Sequence, residues 1–534
     1  MSYDIVIKGG IIVDGTGAPS FKGDIGIKGE NIVKIGDLSG AKAEKVLNCE
    51  GLIITPGFID IHNHSDIDIL AVPTADNYVM QGVTTIVVGN CGSSCAPLTE
   101  KNKDLLVKSL PSHAKGLQID WENFREYLER VENASPSINF VALEGHGTVR
   151  SAVLGLERRE PTLQELEEMK LYVQEAMEAG CFGLSTGLIY DPGVFSKTDE
   201  IISLAKVVAQ HGGVYASHIR NESDLLLDAV NEAITIGENA KIPVEISHLK
   251  ACAQRNWGLV KNALELITYG RHKGVEVTCD VYPYNAWMTD LLSLLPPWTR
   301  EGGLENTILK IRNKDSREKI IEDLKKPSLE WENSLYDVGA DFITLAYAEK
   351  YKRFEGKTLS QIAKELGKDP LETVLKIVEE DGYSAQIVGG GMSEEDVEYV
   401  IRHPLSMISS DGSITKFGEG KPHPRFYGTF PRVISRYVKE KRILSLEEAV
   451  KKMTGMPAWK LRIWDRGIIR PGMKADITIF DYWQIRDMAT FENPHSYPEG
   501  IKHVIVNGKL VVEDGIHIGT RSGRVLRKLN FPYF

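Results

Sequence analysis

Eight short apolar segments, most of them closing on a polar residue, constrain the fold of this chain more than any other feature. They read GFIDIHNH, TTIVVGNC, NFVALEGH, CFGLSTG, VYASH, PVEISH, VEVTCDVY and SMISSD. Between them lie longer amphipathic stretches such as LQELEEMKLYVQEAMEAG and EDVEYVIRH. Short buried strands alternating with helices make a parallel sheet wrapped by helices, an α/β arrangement. Eight such strands predict a closed (β/α)8 barrel of the TIM type. We expect it over residues 56–464, with an insertion at about 287–354, where a charged, irregular stretch exceeds the length one βα connection needs. The two chain ends differ in texture. DIVIKGGIIVDGTG, VLNCEGLIITPG, GMKADITIFD and VIVNGKLVVEDG are strand-like runs broken by tight turns, with Asn507 and Gly508 where a two-residue hairpin turn belongs. They predict one small β-sandwich domain assembled from residues 1–55 and 465–534.

Chemistry in such barrels gathers at the carboxyl ends of the strands, so the closing polar residues are the candidates. The period-two alternation of a strand puts His62 and His64 on one face, with Asn63 pointing away. His218 and His248 close two strands and lie 30 residues apart, one βα repeat. Cys91 offers a thiolate, a good zinc ligand, and Asp411 offers an oxygen ligand or a base. A single His-x-His pair is a weak signal, and a lone polar strand end is ordinarily a satisfied polar residue. Five of eight strand ends carrying metal-compatible groups point instead to one metal centre.

Composition narrows the partners. The formal charge is −11, from 63 basic and 74 acidic residues, with no concentrated basic face. This argues against nucleic acid or an anionic membrane as the main partner. No apolar run is long enough to span a bilayer, and Met1 to Asp4 run straight into a strand, so no secretory leader is expected. Six cysteines at irregular places do not form a disulfide framework and suit a reducing, cytoplasmic setting. A homo-oligomer is compatible with the sequence, but nothing in it supports one.

The HNH after PGFID, the NCG of Cys91, the ASHIRNE of His218, the ISHLKA of His248 and the SSDGS of Asp411 resemble the amidohydrolase superfamily and, within it, the D-aminoacylase (N-acyl-D-amino-acid deacylase) branch. The resemblance covers nearly the whole chain. Cys91 makes it specific, because most of the superfamily bridges its metals with a modified lysine from the fourth strand, and CFGLSTGLIYDPG holds none. The resemblance implies a tightly held zinc on Cys91, His218 and His248, and a second, weaker metal position at His62, His64 and Asp411. It leaves Glu144 as a further ligand, a partner of a ligand or a structural carboxylate, with His146 beside it equally open.

With zinc at the mouth, Asp411 is placed to take a proton from water and pass it to the departing nitrogen of an amide. The substrate implied is a small N-acyl amino acid, whose free carboxylate calls for cations and hydroxyls beside the metal. The resemblance puts Tyr190, Lys250, Tyr282 and Arg425 in that role. Arg220 is a further candidate, with Glu222 as its alternative partner. A preference for the D configuration comes from the resemblance alone. Two rival readings remain: a cyclic-amide hydrolase of the hydantoinase or dihydroorotase kind, against which Cys91 and the missing lysine count, and a non-catalytic scaffold, against which the full donor set counts. The Gly389, Gly390, Gly391 run lacks the spacing and lysine of a phosphate loop and reads as a turn into a helix capped by Ser393. Cys95 lacks a matching pair and reads as a loop thiol.

Overall fold

A computed structural model describes residues 2–528. Eight parallel strand positions form a closed ring: Phe58–Asp60, Val83–Val88, Asn139–Ala142 continued by Glu144–Gly145, Gly183–Gly187, Val214–His218, Val244–Ile246, Val277–Val281 and Ser406–Ile408. These are the eight segments expected from the sequence. Neighbours pair in parallel in chain order. The third strand breaks at Leu143, and Phe182 N–H bonds to Ala142 O across the gap at 2.9 Å. The eighth closes on the first just past the formal strand ends, where Asp411 N–H donates to His62 O (2.9 Å) and His64 N–H to Gly412 O (2.8 Å). Closure is thus made by the residues that carry the candidate site.

The amphipathic stretches wrap the ring. In Leu163–Ala179, Thr162 and Glu165 form a reciprocal capping box, and Gly180 ends the helix in a left-handed conformation. Its inner face buries Met169, Val173, Ala176 and Met177, with about 1.5–3 kcal/mol for each large side chain removed from water. Inside the barrel, Ile59, Val87, Val141, Phe182, Val214 and Met407 pack with Leu461 and Ile463, which come from beyond the last strand. This apolar plug fills one end of the ring and leaves the mouth at the other for polar groups.

Between the seventh and eighth strands the chain makes a long excursion. Its three-stranded antiparallel sheet pairs Gln386–Gly389 with both Trp287–Asp290 and Ile343–Tyr347. The excursion therefore runs on to Gly389, past the limit near 354 read from the sequence, because its last strand is needed to pair with its first. Ser393 then caps Glu394–Arg402, accepting from Glu395 and Asp396 N–H, as the glycine run suggested.

Both chain ends share one nine-stranded sheet, with the long amino-terminal strand Ser2–Ile12 inside it and Ile477–Phe480 bonded to Ile53–Pro56. The sheet folds over a core of isoleucines including Ile7, Ile25, Ile54, Ile477 and Ile505. Ile32 N–H reaches Met473 O at 2.8 Å and brings the edge strand Asn31–Gly36 against the segment that leads into Ile477–Phe480. Asn507 and Gly508, both with positive φ, make the two-residue turn between Ile501–Val506 and Lys509–Glu513.

Candidate metal centre

The six donors named from the sequence meet at the barrel mouth. Cys91 Sγ lies 3.3 Å from His62 Nε2, 3.5 Å from His248 Nε2 and 3.6 Å from His218 Nδ1. Two donors bound to one tetrahedral zinc at about 2.0–2.3 Å lie roughly 3.3–3.6 Å from each other, so these residues fit that ion. His62 Nε2 is 3.3 Å from His64 Nε2, and Asp411 Oδ1 is 3.0 Å from His64 Nε2 and 3.5 Å from His62 Nε2. Two imidazole nitrogens at that separation need a cation or a proton between them. Cys91 groups with His218 and His248, and equally with His62 and His64, while Asp411 groups with His62 and His248. The two metal positions implied by the resemblance therefore overlap, with Cys91 between them.

The backbone aims these donors by leaving extended geometry. Cys91 (φ 51°), His248 (φ 36°) and Asp411 (φ 48°) all sit in the left-handed region, which turns a strand end sharply inward. Close packing enforces one of these turns: a Cβ on Gly187 would stand 2.0 Å from Cys91 O.

Electrostatics favour a cation. Burial works against a Cys91 thiolate, but His62 and the hydrogen bonds from His218 and His248 hold its pKa well below the usual thiol range. Burial likewise opposes the Asp411 charge, yet Arg425, 3.0 Å away, leads the groups that hold it well below ordinary carboxylates. Burial disfavours a charged His64, and bonds to Asp411 and Cys91 overcome it, raising its pKa to about 9. The same anions that hold a proton there would attract a metal.

Two carboxylates behind the donors escaped sequence reading. Glu222 accepts from Lys250 Nζ (2.6 Å) and lies 2.9 Å from His248 Nδ1 and 3.9 Å from His218 Nε2. Lys250 Nζ stands 2.7 Å from the same His248 Nδ1, so carboxylate and ammonium together surround the nitrogen that faces away from Cys91, and such groups behind a ligand tune its hold on a metal. Asp280 accepts from His248 N–H (3.0 Å) and Ser409 Oγ (2.5 Å), with its other oxygen 3.7 Å from His62 Nδ1. Asp280 was visible as a polar residue near the end of VEVTCDVY. Glu222, four residues after His218, suggests itself from the sequence only as a partner of Arg220, and its context gives no sign of this role.

The remaining candidates divide. Tyr190 packs edge-on against His218 and shares a hydrogen bond with Thr289 (3.1 Å), and Tyr282 lies beneath both Arg425 and Lys250. Arg425 is buried; its Nη1 is taken up by Asp411 Oδ2 at 3.0 Å, while its Nε has no hydrogen-bond acceptor. Arg220 does not pair with Glu222, because its fork closes on Glu232, one helical face away, at 2.8 and 2.9 Å. Glu144 accepts from Ser94 Oγ (2.8 Å), and burial pushes its pKa well up. His146 is held by Glu200, which Arg150 also engages. All six cysteines are unbridged, Cys95 among them.

Over the centre opens a cavity of about 680 Å³, walled by barrel loops and the excursion. Fold and donor set together are those of a metal-dependent barrel hydrolase. A sequence profile of the amidohydrolase family matches residues 45–280 and 332–512. The chain is 33% identical to a D-aminoacylase of Alcaligenes xylosoxydans xylosoxydans over 98% of both chains. It is 34% identical to an N-acyl-D-glutamate deacylase of the same organism over 98% of this chain and 96% of that one. The crystal structure of an N-acyl-D-glutamate deacylase from Bordetella bronchiseptica, complexed with zinc and a phosphonate mimic of the tetrahedral intermediate, superposes with a TM-score of 0.83 at 32% identity, covering 99% of this chain and 100% of that one. The chain belongs to the amidohydrolase family, in the branch that holds the D-aminoacylases.

Proposed function

We propose that this protein is a zinc-dependent hydrolase that cleaves the amide bond of N-acyl-D-amino acids to a carboxylate and a D-amino acid. The observation that carries the reading is the spacing of Cys91, His218 and His248 around one point, beside an Asp411 tied to Arg425. These three would hold the tight zinc, and His62, His64 and Asp411 a weaker second ion, with Cys91 in reach of both. When bound, zinc polarises the scissile carbonyl and lowers the pKa of water.

The chain's own groups supply the rest. Asp411, kept ionised by Arg425, takes the proton of the attacking water on its carboxylate. It then delivers that proton to the amide nitrogen as the C–N bond breaks, since the amine departs only once protonated. Lys250, Arg425, Tyr190 and Tyr282 form the side that receives the substrate carboxylate, and the Arg425 Nε, which has no acceptor, supports this. With the carboxylate and the scissile carbonyl both fixed, the side chain has one direction to point, so one configuration fits. The two chain ends, over their described residues 2–55 and 465–528, act as one structural domain beside the barrel; Met1 and residues 529–534 of that expected domain lie outside the described residues. The unbridged cysteines support a reducing, cytoplasmic setting, and no described helix is long and apolar enough to cross a membrane.

The test is amine release from N-acetyl-D-methionine, its L enantiomer and a hydantoin, using metal-stripped and zinc-restored protein. Amine from the D compound alone, and only with zinc, is expected. Ring opening of the hydantoin without cleavage of the D compound would transfer the chain to the cyclic-amide hydrolases.

A further inference from the structure

Identity does not choose among side chains: the relative named for D-amino acids at large and the one named for D-glutamate match this chain almost equally, at 33% and 34%. The cavity wall does choose. It presents nine Asp and Glu residues against five Lys and Arg. Two of the five, Lys250 and Arg425, stand at the metal centre and face Glu222 and Asp411. Of the other three, Arg220 is closed by both oxygens of Glu232, and Lys421 is exposed and reaches Glu492 O at 3.1 Å. Arg300 is the one buried cation away from the centre. It lies 3.6 Å from Asp191, donates to Ile189 O at 3.1 Å, and its charge also acts on Asp290. One guanidinium shared by two carboxylates leaves no net positive charge there for a third. The rest of the wall includes Leu98, Leu106, Leu110, Trp287 and Leu292. An apolar side chain gains by leaving water against such a surface, whereas a second substrate carboxylate finds no unshared cation and loses its hydration.

We propose that this cavity selects N-acyl-D-amino acids with uncharged, apolar side chains and rejects the D-glutamate and D-aspartate derivatives. The inference rests on the deacylase reading above. Arg300 is also where it is most exposed to refutation, because its Nε has no partner and an acidic side chain, if accepted, would bind there.

The experiment compares kcat/KM of the zinc-loaded protein for N-acetyl-D-leucine and N-acetyl-D-glutamate. Leucine is expected to lead by about 100-fold or more, the size of the penalty for desolvating a carboxylate without a partner. Equal rates, or glutamate ahead, overturn the proposal. If neither compound releases amine while another amide does, the deacylase reading falls and this inference falls with it. The variant Asp290→Asn keeps the oxygen that accepts from Ser293 N–H at 2.8 Å but frees part of the Arg300 charge. It should raise glutamate turnover relative to leucine by about 10-fold. An unchanged ratio in a folded Asp290→Asn protein, and in Asp191→Asn as the second variant, overturns the electrostatic account.

Discussion

Replacing Glu222 by Gln tests whether the donors are tuned from behind. Glu222 is buried and touches two of the three residues assigned the tight ion, directly at His248 and more distantly at His218, while it also holds Lys250. Burial opposes its charge, but Lys250 and the two imidazoles outweigh it and keep its pKa well below the usual range. The amide retains shape and one acceptor but loses the charge. Removing a carboxylate behind a metal-bound imidazole costs about 10–100-fold in metal affinity, which is about 1.4–2.7 kcal/mol. It also leaves the Lys250 ammonium buried without its counter-ion, at the lower end of the about 3–5 kcal/mol cost of breaking a buried pair. Zinc affinity is read by chelator competition, and stability by denaturant unfolding of the metal-free protein. The sign with pH follows from linkage: a depressed carboxylate contributes fully above its unfolded value of about 4.3, and the contribution is lost as pH falls below it. Glu222→Gln should therefore flatten the acid limb of the stability curve. Unchanged zinc affinity together with an unchanged acid limb would refute the reasoning.

Three further outcomes are expected. Asp411→Asn should lower kcat by about 10²–10⁴ in protein shown by metal analysis to hold its tight zinc, and near-normal turnover in that protein would remove Asp411 from proton transfer. Gly187→Ala should cut zinc affinity while helical circular dichroism stays intact, because its methyl meets Cys91 O at 2.0 Å and Tyr190 Cδ2 at 2.9 Å, so that Cys91 or Tyr190 must move; an unaltered zinc dissociation constant would contradict it. Val173→Asp, which buries a charge under the helix Leu163–Ala179, should cost several kcal/mol by urea titration, and a loss under 1 kcal/mol would show that this face is not packed as described.

Much of this arrangement was legible because barrel strands are short, apolar and periodic, and because their last residues are the polar ones. His218 and His248 could be paired from their spacing alone, and Cys91 identified the branch. Partners of partners were not legible. Glu222 meets His248 across two loops, and Glu232 takes Arg220 from a following helix, so no local pattern announces either. The excursion was underestimated for a similar reason. Gln386–Gly389 is too short to declare itself as a strand until Trp287–Asp290 pairs with it from a hundred residues earlier.

The left-handed turns at Cys91, His248 and Asp411 carry a consequence for how this molecule can change over time. Each such conformation costs a side chain of order 1–3 kcal/mol, and glycine would relax it at the price of the donor atom. Heat tolerance cannot be gained at those three positions without surrendering the ion. A hardier descendant would have to find its extra stability far from the mouth, in the isoleucine-filled sheet or on the outer helices.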